Sequence, residues 1–92
     1  KYVNTKQQDQ RLNVFPNPAK DYIIISYDLE GRPGKSSIII NSINGKPCYE
    51  KFLTGTRNQF VLSLSKFSSG IYNISLKYNG EIMETSKFVI SK

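Results

Sequence analysis

Residues 70–90 read GIYNISLKYNGEIMETSKFVI, and they are the most informative stretch of the chain. The dipeptide Asn79-Gly80 near the centre suits a type I′ turn, because both central residues of that turn take positive φ. Before the turn, apolar and polar side chains alternate, as in a strand of a sheet that is dry on one face only. The stretch therefore predicts a β-hairpin whose first strand turns four side chains toward a core: Tyr72, Ile74, Leu76 and Tyr78.

The turn also predicts the register of this hairpin. A two-residue connection places Tyr78 opposite Glu81. If the ladder continues without interruption, three further pairs follow: Leu76 with Met83, Ile74 with Thr85, and Ile71 with Phe88.

A second Asn-Gly dipeptide, at positions 44 and 45, predicts another hairpin with the same type of turn. It pairs Ile40 with Tyr49 and Ile38 with Lys51. Pro47 has no backbone N–H to donate, so its strand is expected to begin there or to lie at the edge of a sheet.

Short runs rich in Ile, Val, Tyr and Phe recur about every ten residues from Leu12 onward, separated by Gly, Asn, Pro and Ser. No window keeps an apolar face at helical period. We expect strands at residues 12–15, 21–28, 36–43, 47–53, 59–64, 70–78 and 81–90. This spacing predicts an all-β fold, a seven-stranded immunoglobulin-like antiparallel β-sandwich, although a small barrel fits the same pattern. The loop at residues 30–35 is expected to cross between strands or sheets.

The chain is 92 residues long, which suits one compact domain with a modest core. Residues 1–11 are polar and charged, and we interpret them as a flexible linker to an upstream cargo, with residues 12–92 forming the domain. The sequence starts without Met, so we expect a piece of a longer protein. The longest apolar runs have three residues, far short of the roughly 20 that a membrane helix needs.

The net charge of +6 comes from basic residues spread along the whole chain, with no two adjacent. A nucleic-acid-binding domain would show a clustered basic stripe or a binding motif, so we expect no nucleic-acid partner. The single Cys48 can form no internal disulfide. We interpret it as a small buried hydrophobe in a strand; the alternative is a reactive or intermolecular thiol.

Catalysis has little support in the sequence. There is no His, which removes the most common general base and metal ligand. The nearest Ser-x-x-Lys match, residues 63–66, lies at a strand end rather than in a helix. Aromatic residues could line a sugar or peptide groove, but core packing is the ordinary explanation for those within predicted strands: Tyr22, Phe60, Tyr72, Tyr78 and Phe88.

Four segments, in order and spacing, carry a resemblance to a known family. They are NVFPNPA at residues 13–19, SINGKP at 42–47, LSKFSSGIY at 64–72 and KFVISK at 87–92. Together they resemble the type A C-terminal sorting domain of the type IX (Por) secretion system. Phe15 stands where that pattern often has Tyr, and Phe67 where it often has Leu.

The resemblance implies a secretion signal without catalytic activity, cofactor or metal. It implies transit through the periplasm of a Gram-negative bacterium and delivery of the cargo to the cell surface or the medium. The implied partners are the type IX translocon, an outer-membrane shuttle protein and a surface sortase that cleaves the domain from its cargo. The residues expected to be recognised by translocon or shuttle are Pro16, Asn17, Pro18, Gly70, Tyr72, Lys87, Phe88, Val89, Ile90 and Lys92.

The same motifs also have plain structural interpretations. Pro16 and Pro18 would stiffen a corner, and Gly70 would allow a backbone conformation or a close approach that a side chain prevents. The last strand is the best recognition candidate, because a partner could add a strand to an exposed edge. Two other functions remain open at this point. One is an accessory immunoglobulin- or fibronectin-like binding domain that touches polysaccharide, and the other is a spacer or strand-swapped dimer module.

Overall fold

The computed structural model describes residues 11–31 and 34–92. Of the predicted linker at residues 1–11, residues 1–10 lie outside the described residues. The described part of the chain forms seven strands and no helix. Their bounds are β1 Leu12–Phe15, β2 Tyr22–Asp28, β3 Ser36–Ser42, β4 Pro47–Phe52, β5 Arg57–Ser63, β6 Gly70–Tyr78 and β7 Glu81–Ile90. Every predicted strand is present, with bounds that differ from the prediction by no more than two residues.

The strands form two antiparallel sheets, one in the order β1-β2-β5 and the other in the order β4-β3-β6-β7. The chain changes sheet three times, after β2, after β4 and after β5. The first change lies between β2 and β3, which agrees with the prediction that the loop at residues 30–35 crosses between strands or sheets. The all-β class is confirmed, because the described residues form two separate sheets and no closed barrel.

The core lies between the sheets because each inner strand turns every second side chain inward. Ile23 and Ile25 of β2 face Ile38, Ile40, Ile74 and Leu76 of the other sheet, and all six are fully buried. The predicted inner face of β6 is confirmed, although Tyr78 at its end is only partly buried.

The predicted register of the β6–β7 hairpin holds only next to the turn. Asn79 and Gly80 both have positive φ, and Tyr78 pairs with Glu81 as predicted. A bulge then shifts the ladder by one residue, so Leu76 pairs with Glu84 rather than Met83. Further along, Ile74 pairs with Ser86 and Ile71 with Val89.

Burial of the last strand explains this bulge. An uninterrupted ladder would place Phe88 opposite Ile71, whose side chain is exposed. The extra residue reverses the alternation, because a bulge opposes two residues to one. Phe88 then lies opposite Tyr72 and Ile90 opposite Gly70, and both side chains are buried.

The β3–β4 hairpin has the predicted pairs Ile40–Tyr49 and Ile38–Lys51, and β4 is an edge strand as Pro47 indicated. The predicted turn type is wrong, because Gly45 has positive φ but Asn44 does not. The Gly45 N–H donates to Ser42 O at 2.8 Å, and the ladder shifts register at Ile40/Asn41. This is the longer turn with a glycine bulge that commonly joins antiparallel strands.

Two predicted core residues are exposed. Cys48 lies on the edge strand β4, where most side chains face water, and its Sγ is 3.4 Å from Lys46 O. Tyr22 is 46% exposed because the inward positions of β2 belong to Ile23 and Ile25. The interpretation of these two residues as buried packing groups is therefore wrong.

Candidate functional site

The four motif segments meet at one end of the sandwich. We call this part of the surface, made of residues 16–21, 42–47, 63–72 and 87–92, the motif end. Ser42 pairs with Tyr72, and the Ile43 N–H donates to Ile71 O at 3.0 Å, which joins the second segment to the third. Tyr72 pairs with Phe88, which joins the third to the fourth. Segments far apart in the sequence thus form one continuous surface.

The Pro-Asn-Pro segment closes the edge of β7. The Asn17 side chain acts like a short piece of strand: its Oδ1 accepts from the Val89 N–H at 2.9 Å, and its Nδ2 donates to Lys87 O at 3.3 Å. Ala19 continues the contact, donating its N–H to Val89 O and accepting from the Ser91 N–H, each at 2.8 Å. The peptide bonds Phe15–Pro16 and Asn17–Pro18 are both cis.

This contact bears on how a partner could recognise β7. An edge strand offers unpaired backbone groups that another strand can bind. Between Lys87 and Ser91 those groups are already paired with Asn17 and Ala19. A strand could be added there only after the Pro-Asn-Pro segment is displaced.

Tyr72 fixes the loop that precedes β6. Its hydroxyl donates to Ser68 O at 2.7 Å. Its ring stacks on Phe88 with 5.7 Å between centroids and meets Phe67 edge-on at 5.6 Å, arrangements that add to the burial of the rings themselves. At Gly70 an added Cβ would find its nearest neighbour, Tyr72 Cε1, at 3.8 Å, so no close approach requires glycine there. Its φ of +157° is a conformation that other residues rarely adopt, so the predicted need for a special backbone conformation is confirmed.

Replacement of Tyr72 by phenylalanine tests this bond. We expect the free energy of unfolding to fall by about 1 kcal/mol, because Ser68 O loses its donor while the ring packing is kept. Urea unfolding of the two proteins measures the difference. Tyr22→Phe is the matched control, since the Tyr22 side chain is exposed, and it should change stability by less than about 0.5 kcal/mol. Equal effects of the two substitutions would contradict this role of the Tyr72 hydroxyl.

Lys92 is anchored at both of its nitrogen atoms. Its backbone N–H donates to Ser69 Oγ at 3.1 Å, and its Nζ donates to Leu64 O at 2.8 Å. The last described residue therefore lies against the loop between β5 and β6 instead of extending into solvent. No sequence pattern pointed to Ser69 or Leu64 as its partners.

The ten predicted recognition residues fall into two groups. Phe88, Ile90 and Tyr72 are buried and Gly70 is half-buried, so these four shape the motif end from within. The exposed ones, which a partner could touch directly, are Pro16, Asn17, Pro18, Lys87, Val89 and Lys92. The sequence of the motif end contains five lysines and one carboxylate, Asp21, so this surface favours anionic partners.

The described residues contain neither a candidate metal site nor a candidate membrane-spanning helix. No group of three or more His, Cys, Asp or Glu side chains there is placed to hold a metal ion. No helix in residues 11–31 and 34–92 has the length and apolar character needed to span a membrane.

Comparison with known proteins agrees with the geometry of the motif end. The family model described as "Secretion system C-terminal sorting domain" matches residues 13–91. No curated protein matches the chain significantly, and no solved structure does. The match covers the first three motif segments completely and the fourth except for Lys92, and it does not favour an accessory binding domain. The chain belongs to the family of secretion system C-terminal sorting domains, and it is a sorting signal of the type IX secretion system.

Proposed function

We propose that the motif end is the surface that the type IX machinery recognises when this domain carries its parent protein across the outer membrane. The observation that supports this most strongly is the meeting of the four motif segments at one end of the sandwich. The exposed residues Pro16, Pro18, Lys87, Val89 and Lys92 are the contacts offered to the translocon and the shuttle protein.

The remaining predicted site residues hold this surface in shape. Asn17 fixes the Pro-Asn-Pro corner to β7, and Tyr72, Phe88 and Ile90 support the corner from the core. Gly70 is the first residue of β6 and pairs with Ile90 of β7. In this proposal the partner does not touch Tyr72, Phe88, Ile90 or Gly70, which only position the contact residues. Asn17 is exposed, so it both holds the corner and can contact the partner.

The direction of the chain supports this arrangement. Arg11 O accepts from the Asp28 N–H at 3.0 Å, so the chain reaches β1 at the end of the sandwich opposite to the Pro-Asn-Pro corner. In our proposal, residues 1–11 link the domain to its cargo and residues 12–92 form the sorting domain. The motif end then faces away from the cargo and is free to meet the secretion machinery.

We further propose that the sandwich is of immunoglobulin-like type. Its seven antiparallel strands divide three and four between the sheets, and three connections cross between the sheets. The constant-type immunoglobulin domain has nearly the same arrangement; the difference is that its fourth strand lies in the other sheet.

We propose that the domain itself performs no catalysis. It passes through the periplasm with its cargo, and a surface sortase removes it when the cargo is attached to the cell surface or released.

A fusion experiment tests this function. Residues 1–92 are joined to the C terminus of a fluorescent reporter that bears a signal peptide, in a bacterium with a type IX system. We expect the fusion to reach the surface or the medium, while the reporter without the domain stays in the periplasm. Retention of the fusion in the periplasm, in cells that still export their own type IX cargo, would overturn the proposal.

A further inference from the structure

The two sides of the sandwich are closed differently. On one side the Pro-Asn-Pro segment joins the sheets through β7. On the other side β4 and β5 are the edge strands, and the Lys51 ammonium lies over the Phe60 ring at 5.2 Å from its centroid. Toward the motif end this side opens into a groove with a cavity of about 510 Å³. We call it the β4–β5 groove.

The β4–β5 groove has an apolar floor and a basic rim. Tyr49, Leu62, Phe67 and Tyr72 line the floor, and each packs in or against the hydrophobic core. Burial raises the pKa of Tyr49 above its ordinary value of 10.0. Lys46 and Lys66 stand at the rim, and both are exposed. An apolar pocket with a few polar groups placed around it is the usual form of a binding site.

Charge favours an anionic occupant of this groove. Within the described residues, neither the Lys46 nor the Lys66 ammonium has a hydrogen-bond or ion-pair partner, and the groove lining contains no carboxylate. A ligand carboxylate placed between them would meet two cations in a partly dry setting, where charge pairs are stronger than in open water.

The edge of β5 favours an extended peptide over other anions. Within the described chain β5 pairs with β2 alone, in an unbroken register from Arg57 to Ser63, which leaves a regular edge beside the groove. The opposite edge, β4, is less suited, because Pro47 lacks a donor and the ladder of β4 is irregular near it. An extended chain added to β5 would gain backbone hydrogen bonds and send alternate side chains into the groove.

We infer that the β4–β5 groove binds an extended acidic peptide segment of a partner protein, which adds as a strand to β5. One apolar side chain of that segment occupies the cavity over Leu62 and Phe67, and flanking carboxylates bind Lys46 and Lys66. Most of the groove lining belongs to the motif end, on the side of the sandwich opposite to the contact between Asn17 and β7. The inference goes beyond the sorting role and does not rest on it.

A labelled synthetic peptide of alternating Glu and Leu tests the inference with the 92-residue protein. We expect fluorescence anisotropy to report saturable binding that weakens about tenfold in a protein carrying Lys46→Glu and Lys66→Glu, since charge reversal at both rim positions removes two attractions. The matched control carries Lys35→Glu and Lys77→Glu, which make the same change in net charge at the other end of the sandwich. We expect the control protein to bind within about twofold of the parent.

Two further measurements separate the groove from a general attraction for anions. Amide chemical shifts should change along β5 and at Tyr49 and Phe67, and the exposed amides of β5 should exchange more slowly in the complex. Polyglutamate, which lacks the apolar side chain, should bind at least about tenfold more weakly. Absence of saturable binding, equal weakening in the control protein, equal binding of polyglutamate or shifts confined to other strands would each overturn the inference.

Discussion

Replacing Phe88 with alanine should lower the free energy of unfolding by about 3–5 kcal/mol, the largest loss that we expect from any single substitution in this domain. Phe88 is fully buried, and its ring stacks on Tyr72 at 5.7 Å. A domain of 92 residues is expected to have about 5–14 kcal/mol of stability in total. Urea unfolding of the variant should therefore show a large fall in the midpoint, or no folded baseline at all.

Val89→Ala is the control for this experiment, because Val89 is the next residue on the same strand and is 37% exposed. It should cost about 1 kcal/mol or less. If the two substitutions had similar effects, Phe88 would not be the core residue that the structure shows. The comparison also affects any deletion of residues 87–92, which would remove Phe88 and Ile90 and so unfold the domain along with its recognition surface.

Asn17→Ala should lower the free energy of unfolding by about 1–2 kcal/mol. The substitution removes two hydrogen bonds, one from the Val89 N–H and one to Lys87 O, and each is worth about 0.5–1.5 kcal/mol. The Val89 amide should also exchange with solvent faster than in the parent, because its acceptor is lost. Urea unfolding and amide hydrogen exchange measure the two effects.

Asn13→Ala serves as the control, because Asn13 is an exposed residue of the same type on β1. It should change stability by less than about 0.5 kcal/mol and leave the exchange of the Val89 amide unaltered. If Asn17→Ala behaved like Asn13→Ala, the contact between the Pro-Asn-Pro segment and β7 would not contribute to the stability of the motif end.

Alternation of side chains predicted the strands well because most strands of this domain are dry on one face only. The register of β7 could not be obtained from the turn alone, since a period of two continues unchanged until a bulge reverses it. The conflict was nevertheless present in the sequence. The uninterrupted ladder paired Phe88 with Ile71, on the polar face of β6, and only a bulge could bring Phe88 into the core.

The wrong predictions of burial for two exposed side chains have a different cause. Cys48 and Tyr22 lie in sequences typical of strands, but periodicity does not say which strand is an edge or which phase faces inward. That information comes from pairing between distant strands. The same limit applies to Asn17, whose partners on β7 are 70 and 72 residues away in the sequence.

The family resemblance identified the four motif segments of the candidate site, but only the fold shows that they lie together at one end of the sandwich. The β4–β5 groove was not predicted from the sequence, because its lining comes from the end of β3, the β3–β4 turn, β4, β5, the loop after it and β6. Lys46 and Lys66 lie in two of the motif segments, but nothing in the sequence indicates that they are close to each other. Only the packing of the two sheets places them on either side of one apolar floor.

Export of a reporter fusion with paired surface substitutions tests most directly whether the motif end is the recognition surface. One fusion carries Lys87→Glu and Val89→Ser at the motif end. Its matched partner carries Lys77→Glu on β6 and Ile82→Ser on β7, at two positions that pair with each other at the far end. Both pairs change side chains of the same kind at positions that do not contribute to the buried core. We expect the far-end fusion to be exported like the parent, and the motif-end fusion to stay in the periplasm although its domain unfolds at a similar urea concentration. Equal export of the two fusions would mean that the motif end is not the recognition surface.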